Sequence, residues 1–352
     1  MQTLVYTDEK TDNRFFQLVL WFQPSDGVLL VDEQDDQVHI TAFLDPRYAT
    51  IPHTIPDHQL TAIFGKSVIH DRVIRQWALQ PLLEQLIDPE QLRIDASHLP
   101  YAVAQRRLAL WPQAQVVNER NGQLRLIKSP HQLAYIKSAV EKTVLLFQRL
   151  EQLISSWALL GKTERAVRMM LLAKALDFGL EDEAFPAIVA TNAHSAIPHH
   201  RSDTTHISAG PLLIDMWFRF QWRCSDLTRT YRIGDPDERY DEFQRVSAKV
   251  HEAHDTAVTA CRVGSAICHV ETMARNVLAD AQLAEYFTHS IGHGVWLDVH
   301  EQPYLHAKNT NNFVAGMVCT IEPGVYFPDQ RGVRYETDVL ITDAGPEVLG
   351  GA

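Results

Sequence analysis

The chain has few cysteines and no long apolar run. Its cysteines, Cys224, Cys261, Cys268 and Cys319, form no Cys-x-x-Cys pair in 352 residues. Such sparse cysteines favour reduced thiols in a cytosol. No run of about 18 apolar residues is present, so no transmembrane helix and no membrane partner are predicted. The opening segment MQTLVYTDEK lacks a basic start and an apolar stretch, which predicts no signal peptide and a cytoplasmic protein.

Basic residues are also in deficit. The chain has 32 Lys and Arg against 44 Asp and Glu, a formal net charge of −12. Attraction to phosphate needs patches of Lys and Arg, so the composition argues against a nucleic-acid partner. The hydrophobic fraction of 45% allows a sizeable core. A length of 352 residues exceeds what one core usually serves, which predicts two domains.

The first domain is predicted over residues 1–123. Residues 14–44 alternate apolar runs with turn signals, which is typical of strands joined by turns. Residues 71–88 have a helical pattern, and LRIDAS at 92–97 predicts a buried strand. A second helix is expected after Pro100, and RNGQ at the end of the domain predicts a turn. Together these elements indicate an α/β domain.

The second domain is predicted over residues 124–352. Ser129 and Pro130 predict the start of a helix that continues to about Leu160, because its apolar residues recur at helical spacing. Thr163 is expected to cap a helix that ends near Phe178. Two further helices are predicted over 238–262 and 266–281. Strands are predicted at AIVAT, at PLLIDMWF and within 315–342.

Four carboxylates stand inside apolar, strand-like segments of this second domain. Asp215 lies in PLLIDMWF, Asp226 in CSDLTRTYRIG, Glu322 in VCTIEPGVYF and Glu336 in VRYETDVLIT. For any one of them, a buried ion pair with arginine is the preferred interpretation. All four together would repel one another, which favours a cation of higher charge.

His293 adds an imidazole to this acidic set. It lies between Gly292 and Gly294, which allow a close approach of the backbone. An oxygen-rich ligand set favours Mn, Mg or Ca, and the imidazole favours a transition metal. Four acids exceed what one catalytic ion with an open position needs, so two ions sharing carboxylates fit better.

The order of these segments resembles that of the pita-bread metallopeptidases. The similarity covers about 124–352 and is closest to the proline-specific branch, the Xaa-Pro dipeptidases (prolidases) and Xaa-Pro aminopeptidases. It rests on Asp215, SDLTRT, GHG, VHEQP, TIEPG and VRYETDVL. LDPRY at 45–49 gives a looser similarity to the creatinase-type N-terminal domain. The implied fold is a creatinase-like α/β domain followed by a pita-bread catalytic domain, an α+β unit with a curved antiparallel sheet and flanking helices.

The resemblance implies a site with two divalent ions, for which Mn²⁺ is expected first and Co²⁺ or Zn²⁺ are alternatives. The implied ligands are Asp215, Asp226, His293, Glu322 and Glu336. Asp226 and Glu336 would bridge the two ions. Glu322 would also carry the proton from the metal-bridging hydroxide to the leaving nitrogen of proline, which leaves poorly unless protonated.

Other side chains are implied to contact the substrate. His199 in IPHHRSD and His300 in VHEQP would be catalytic, because they would hydrogen-bond the substrate and stabilise the oxyanion. His289 either lines the pocket or caps a turn. Arg334 stands two residues before Glu336, so on one strand both would share a face, and Arg334 would hold an acidic ligand or the substrate.

Several positions depart from the family pattern. Trp217 stands where glycine is usual, and Trp222-Arg223 stands where Gly-Tyr is usual. For this stretch, MWFRFQWR, the alternatives are ordinary strand packing, a reshaped pocket wall or a dimer surface. Tyr304 is a substrate contact where some dipeptide-specific relatives carry arginine, so Arg201, Arg334 or a partner subunit would have to hold a dipeptide's carboxylate. His194 stands where asparagine is common, either as a solvated loop residue or as a substrate contact.

The predicted function is hydrolysis of dipeptides that carry proline at the second position, by a homodimer. The alternative is a Xaa-Pro aminopeptidase acting on longer peptides. A creatinase-like amidinohydrolase needs no metal, and a non-enzymatic module of this fold has no use for five ligands, so both fit the sequence less well. A methionine aminopeptidase would not need the N-terminal domain.

Overall fold

The computed structural model describes residues 2–7, 27–34, 36–44, 67–75, 92–95, 101–117 and 125–351. Contacts between residues divide the chain into two units, Met1–Arg125 and Leu126–Ala352. The predicted domain boundary at residue 123 falls in 118–124, outside the described residues, and stays a prediction. No described helix combines the length and the apolar character that crossing a bilayer requires.

The described strands of the first unit form one sheet in the order β4-β3-β2-β1-β5-β6. The strands are β1 Gln2–Thr7, β2 Gly27–Glu33, β3 Gln37–Leu44, β4 Ser67–Arg75, β5 Leu92–Asp95 and β6 Gln115–Val117. Helix α1 spans Tyr101–Leu110. Strands β1, β2 and β3 pair antiparallel, and β4, β5 and β6 join the sheet in parallel. The predicted mixture of helix and sheet is therefore present in this unit.

In the first unit, some of the predicted helices and strands are present and one segment is a strand instead of a helix. The strand expected at 92–97 is confirmed at Leu92–Asp95, and the helix expected after Pro100 is confirmed as α1. The helix predicted from residue 71 is wrong over 71–75, which belong to β4. This segment is rich in valine and isoleucine, and pairing with β3 outweighs the helical pattern. The rest of that prediction, the strand and turn expected over 14–26, and the turn at 120–123 lie outside the described residues.

Helices of the second unit begin within two residues of the positions that the sequence indicated. They are α2 Pro130–Ser155, α3 Glu164–Asp177, α4 Tyr240–Ala260 and α5 Ile267–Asp280. Ser129 and Gln132 form a reciprocal capping box at the start of α2, and Thr163 caps α3. The expectation that α2 reaches Leu160 is wrong, because Trp157 adopts a left-handed φ of 56° and ends the helical path.

Strands of the second unit form antiparallel sheets. A three-stranded sheet has the order β11-β8-β7, a five-stranded sheet the order β13-β12-β14-β17-β18, and β9-β10 and β15-β16 are separate pairs. Their bounds are β7 Ile188–Thr191, β8 Gly210–Met216, β9 Arg219–Phe220, β10 Arg223–Cys224, β11 Leu227–Ile233, β12 Gly292–Gly294, β13 Glu301–Leu305, β14 Val318–Ile321, β15 Gly324–Phe327, β16 Arg331–Arg334, β17 Thr337–Thr342 and β18 Gly345–Val348.

Helices α4 and α5 cover one face of the five-stranded sheet. Val250 and Ala257 of α4 and Val270 of α5 belong to the same buried cluster as Ile321 and Val339 of the sheet. The apolar residues of both helices recur at helical spacing, so each helix turns one stripe toward the sheet. This packing leaves the ends and breaks of the strands free to carry polar side chains.

Three of the four acids lie at breaks between strands. Only Asp215 lies inside a strand, β8, whereas Asp226 immediately precedes β11. Glu322 lies between β14 and β15, and Glu336 lies between β16 and β17. The expectation that all four stand within strands is therefore wrong for three of them. A continuous strand sends alternate side chains to opposite faces, and a break relaxes that constraint.

His293 lies where strands approach most closely. A Cβ on Gly292 would be 2.0 Å from the Thr320 carbonyl oxygen, and a Cβ on Gly294 would be 2.1 Å from the Gln302 carbonyl oxygen. Both neighbours are backbone atoms that cannot move aside alone. The two glycines therefore allow β12 to hold His293 between β13 and β14.

We expect Gly294→Ala to destabilise the second unit by about 3 kcal/mol or more, because the added methyl group must separate β12 from β13. Gly161→Ala is the control, since its Cβ would meet nothing within 4 Å. It should cost only the about 1–2 kcal/mol of a left-handed backbone. Denaturant unfolding of both variants measures the difference, and equal losses would contradict the steric account.

Candidate active site

A cavity of about 360 Å³ opens in the second unit. Its lining residues are Pro198, His199, Asp215, Trp217, His289, Ser290, His293, His300, Tyr304, Glu322 and Arg334. The structure therefore brings together most of the side chains that the sequence singled out. Asp226 and Glu336 are buried next to this lining, and each offers an oxygen within 4.8 Å of a ring nitrogen of His293.

His293 presents a free nitrogen to the acids. Its Nδ1 donates a hydrogen bond to the Gly294 carbonyl oxygen at 3.1 Å. Its Nε2 lies 3.4 Å from Glu322 Oε1 and 3.6 Å from Asp226 Oδ2. Burial lowers the pKa of His293 to about 3. The ring is therefore neutral, with its lone pair directed at the carboxylates, which is the state that a metal-ligating histidine requires.

Three oxygens of the buried carboxylates around His293 lack described donors. Among the described residues, no hydrogen bond reaches Asp226 Oδ1, Asp226 Oδ2 or Glu336 Oε1. Burial and the neighbouring acids raise the pKa of Asp226 and of Glu322, and burial with Asp215 raises the pKa of Glu336 to about 7. Buried acceptors without donors are expensive unless a cation satisfies them. The donor set of this site therefore fits divalent metal ions.

Asp215 has a different environment from the other acids. Arg334 Nη2 donates to its Oδ2 at 2.8 Å, and the Trp217 indole Nε1 donates to its Oδ1. Burial raises the pKa of Asp215, while Arg334 and Trp217 oppose that rise. Asp215 thus has the arginine partner that the sequence favoured for an isolated acid, and it also lines the cavity.

The Arg334 guanidinium group donates hydrogen bonds to several neighbours. Besides Asp215, it donates to the Tyr326 hydroxyl at 2.9 Å, to the Pro198 carbonyl at 3.2 Å and to the Thr228 hydroxyl at 3.0 Å. The expected acidic neighbour was Glu336, and Thr228 links the two, because its hydroxyl donates to Glu336 Oε2 at 2.6 Å. Arg334 therefore orients side chains at the base of the cavity.

The histidines line the cavity as neutral rings or at its edge. Burial lowers the pKa of His289 to about 4, and its Nε2 lies 2.9 Å from the Tyr326 hydroxyl. Of the two alternatives for His289, lining the pocket is the one that the structure shows. His300 packs edge-on against His293, with ring centroids 4.4 Å apart, and burial lowers its pKa. His199 lines the same cavity and is exposed.

The structure also shows where the residues that depart from the family pattern lie. Trp217 is buried, lines the cavity and packs edge-on against His300 at 5.0 Å, so the pocket-wall alternative describes it. Tyr304 lines the cavity and is 41% exposed. His194 and Arg201 are absent from the described lining of this cavity. His194 bonds to Glu164 instead, so it is neither a solvated loop residue nor a contact in this pocket.

Several residues of the site were missed from the sequence. Asp338 is fully buried, and its Oδ2 accepts a hydrogen bond from the Asp226 backbone at 3.0 Å. It stands in the apolar segment TDVLIT, so the rule that identified the other acids could have found it. Thr228 and Tyr326 gave no such signal, because hydroxyl groups in strands are common.

Comparison with known proteins gives one family. The sequence model of metallopeptidase family M24 matches residues 134–343. An uncharacterized peptidase of Staphylococcus saprophyticus is 36% identical over 229 residues, which cover 65% of this chain and 63% of that protein. An uncharacterized peptidase of Staphylococcus aureus is 34% identical over 228 residues, 64% of this chain and 63% of that protein. The chain therefore spans less than two thirds of the length of these relatives.

Solved structures match the whole chain. A prolidase from Pyrococcus horikoshii has a TM-score of 0.83 and 26% identity, and the match covers 100% of this chain and 94% of that one. An X-Pro aminopeptidase from Thermotoga maritima has a TM-score of 0.83 and 24% identity, covering 100% and 95% of the two chains. This second likeness is evidence of the fold alone. The predicted pita-bread fold is confirmed by these comparisons.

We expect the metal-free protein to lose stability as pH rises from about 4.5 to about 7. The pKa of Glu336 is raised from 4.5 to about 7 in the folded state, so the folded state binds the proton more tightly than the unfolded chain. Its contribution is present below pH 4.5 and is lost as pH rises through 7, on the order of 3 kcal/mol.

Thermal unfolding in chelator across this pH range measures the effect, with Glu336→Gln as the isosteric control. The variant keeps the shape of the side chain and removes the titrating group, so its unfolding temperature should fall less over the same range. Parallel curves for the two proteins would contradict the raised pKa.

Proposed function

The chain belongs to metallopeptidase family M24, and from that premise we propose that it hydrolyses the Xaa-Pro bond of dipeptides at a dinuclear metal centre. The observation that carries the proposal is the set of buried carboxylate oxygens without donors beside the neutral His293. The proposal includes a homodimer on the resemblance alone, and a cytoplasmic location on the sparse cysteines.

The proposed ligands are the four acids and the histidine beside them: Asp215, Asp226, His293, Glu322 and Glu336. Carboxylates with one imidazole favour a hard or borderline ion, and we propose Mn²⁺, with Co²⁺ and Zn²⁺ as alternatives. When bound, the ions neutralise the acids, activate water and polarise the scissile carbonyl. Among the described residues, no donor reaches either oxygen of Asp226 or Oε1 of Glu336, which suits these two residues to being shared between the ions.

Glu322 is the proposed proton carrier. It lines the cavity, and burial together with Glu336 raises its pKa well above the usual value for glutamate. A carboxyl group with a raised pKa can hold a proton and give it to the departing proline nitrogen. Its Oε1 lies 3.4 Å from His293 Nε2, so it stands beside the proposed metal position.

His199 and His300 are the proposed donors to the substrate. Both line the cavity, and partial burial lowers the pKa of His300. A neutral imidazole donates one hydrogen bond, which is what a developing oxyanion requires. Trp217 and His289 line the same cavity, and their rings provide an apolar surface for the pyrrolidine ring of proline.

A Xaa-Pro aminopeptidase is the second candidate, and one observation favours it. Among the described residues that line the cavity, Arg334 is the one arginine, and Asp215, Tyr326 and Pro198 already accept its hydrogen bonds. Tyr304 offers a single hydroxyl donor to a dipeptide's carboxylate. In a longer peptide the proline carboxyl group is part of a peptide bond, so no arginine is needed to bind a carboxylate there.

We expect the Mn²⁺-loaded protein to release leucine from Leu-Pro, and chelation to abolish the release. Leu-Pro-Gly is the matched substrate, because it differs only in extending the proline carboxylate into a peptide bond. Cleavage of Leu-Pro alone supports the dipeptidase, and cleavage of both supports the aminopeptidase. Cleavage of neither by metal-loaded protein would contradict the proline-specific proposal.

We expect Trp217→Phe to weaken Mn²⁺ binding by about ten-fold or more, since it removes a hydrogen bond to the ionised Asp215. Phenylalanine keeps an aromatic ring in the wall and removes only the indole donor. Calorimetric titration measures the affinity, with Trp222→Phe as the control, because Trp222 lies outside the described lining of the cavity and is 38% exposed. Equal affinities for both variants would contradict the role of the indole.

A further inference from the structure

A second group of histidines and carboxylates lies apart from the cavity of the candidate active site. It consists of Glu164, His194, His200 and Asp203, and is called the His194 cluster below. Each residue offers one ligand atom, and these atoms lie within 4.8 Å of one another. Glu164 is the first residue of α3 and is fully buried. His194 belongs to the 3₁₀ turn Asn192–Ala196, and the other two residues follow that turn.

Two imidazoles converge on one carboxylate in this cluster. His194 Nδ1 lies 2.9 Å from Glu164 Oε1, and His200 Nε2 lies 2.7 Å from Glu164 Oε2. The two rings face each other at a centroid distance of 4.1 Å and an angle of 32°. Their facing nitrogens and the two oxygens therefore surround one small volume.

Backbone groups fix both carboxylates from outside. The Thr191 amide donates to Glu164 Oε1 at 2.8 Å, and the Asp203 amide donates to Glu164 Oε2 at 3.3 Å. The Thr205 amide donates to Asp203 Oδ1 at 2.7 Å. Carboxylates that bind metals are commonly held in this way by outer hydrogen bonds. Each oxygen of Glu164 thus meets one backbone amide and one histidine nitrogen, and a metal ion would take the place of the histidine hydrogen at each.

We propose that the His194 cluster binds one zinc ion, separate from the dinuclear centre. Two imidazole nitrogens and two carboxylates supply the four ligands of a closed tetrahedral site, and this nitrogen–oxygen set suits Zn²⁺. On binding, His194 Nδ1 and His200 Nε2 turn their lone pairs to the ion. The hydrogens that these nitrogens now direct at Glu164 move to the other ring nitrogen or pass to water.

A separate cavity provides access to the cluster. It has a volume of about 690 Å³, and His200 and Asp203 belong to its lining. Arginines also line it, and Arg168 is paired with Glu183 at 3.0 Å. The two carboxylates of the cluster supply the negative charge that a divalent ion neutralises, and Glu164 is buried where solvent screens least.

The position of the cluster gives the ion a structural role. His199 precedes His200 directly and lines the candidate active site. Glu164 on α3 and His194 in the turn anchor the segment that carries His199. A zinc ion would thus hold a substrate-contacting histidine in place without touching the substrate.

The test counts zinc in the full chain. Protein stripped with chelator is equilibrated with ZnCl₂, desalted, and measured for zinc per chain, beside His194→Asn and the control His269→Asn. Asparagine is polar and smaller than histidine, and position 194 is partly exposed, so the first variant should fold. His269 is exposed on α5. We expect His194→Asn to hold one zinc ion fewer than the wild-type chain and His269→Asn to hold the same number.

The difference between proteins, and not the total, decides the outcome. Equal zinc counts for the wild-type chain and His194→Asn would overturn the proposal and leave the cluster as a hydrogen-bonded support. Glu336→Gln separates this result from the dinuclear centre, because it removes a proposed ligand there and leaves the His194 cluster intact. Introducing His194→Asn into Glu336→Gln should again remove one zinc ion, whether or not the dinuclear centre forms. An unchanged count in that background would also overturn the proposal.

Discussion

The buried negative charge beside His293 is the constraint on which the rest of the second unit depends. Asp226 and Glu336 are both fully buried and present oxygens that no described donor reaches. Carboxylates in a medium of low dielectric repel one another strongly, and each must take a proton or meet a cation. Strand breaks bring these groups together, and the helices α4 and α5 stabilise the sheet that carries them. The fold therefore holds several carboxylates close together, which costs free energy unless a proton or a cation binds to them.

The two clusters of histidine and acid resolve this constraint differently. In the His194 cluster, Glu164 accepts hydrogen bonds from two backbone amides and meets two imidazoles. Among the described residues that line the cavity beside His293, Arg334 is the one arginine, and it pairs with Asp215. One positive charge cannot offset four acids. The His194 cluster is therefore stabilised by its own hydrogen bonds, whereas the acids around His293 lack enough positive charge from the described lining of the cavity.

Much of the site was predictable from the sequence, and the reasons for the exceptions are local. Acids in apolar segments indicated the residues that the structure brings together, which are the proposed ligands, because burial of charge is rare without a purpose. The breaks that place Glu322 and Glu336 between strands depend on backbone geometry, which periodicity does not report. The indole of Trp217 looked like strand packing, since nothing in the sequence shows where its N–H points. Strand β4 was mistaken for a helix because its pairing with β3 is a tertiary contact.

Anomalous diffraction from crystals grown with Mn²⁺ would locate bound metal ions, since manganese atoms scatter anomalously at wavelengths where the light atoms of the protein scarcely do. We expect two anomalous peaks, roughly 3.5–4 Å apart, among Asp215, Asp226, His293, Glu322 and Glu336. An anomalous difference map without peaks among these residues would contradict the dinuclear centre. This holds whether manganese is bound elsewhere in the protein or is not bound at all.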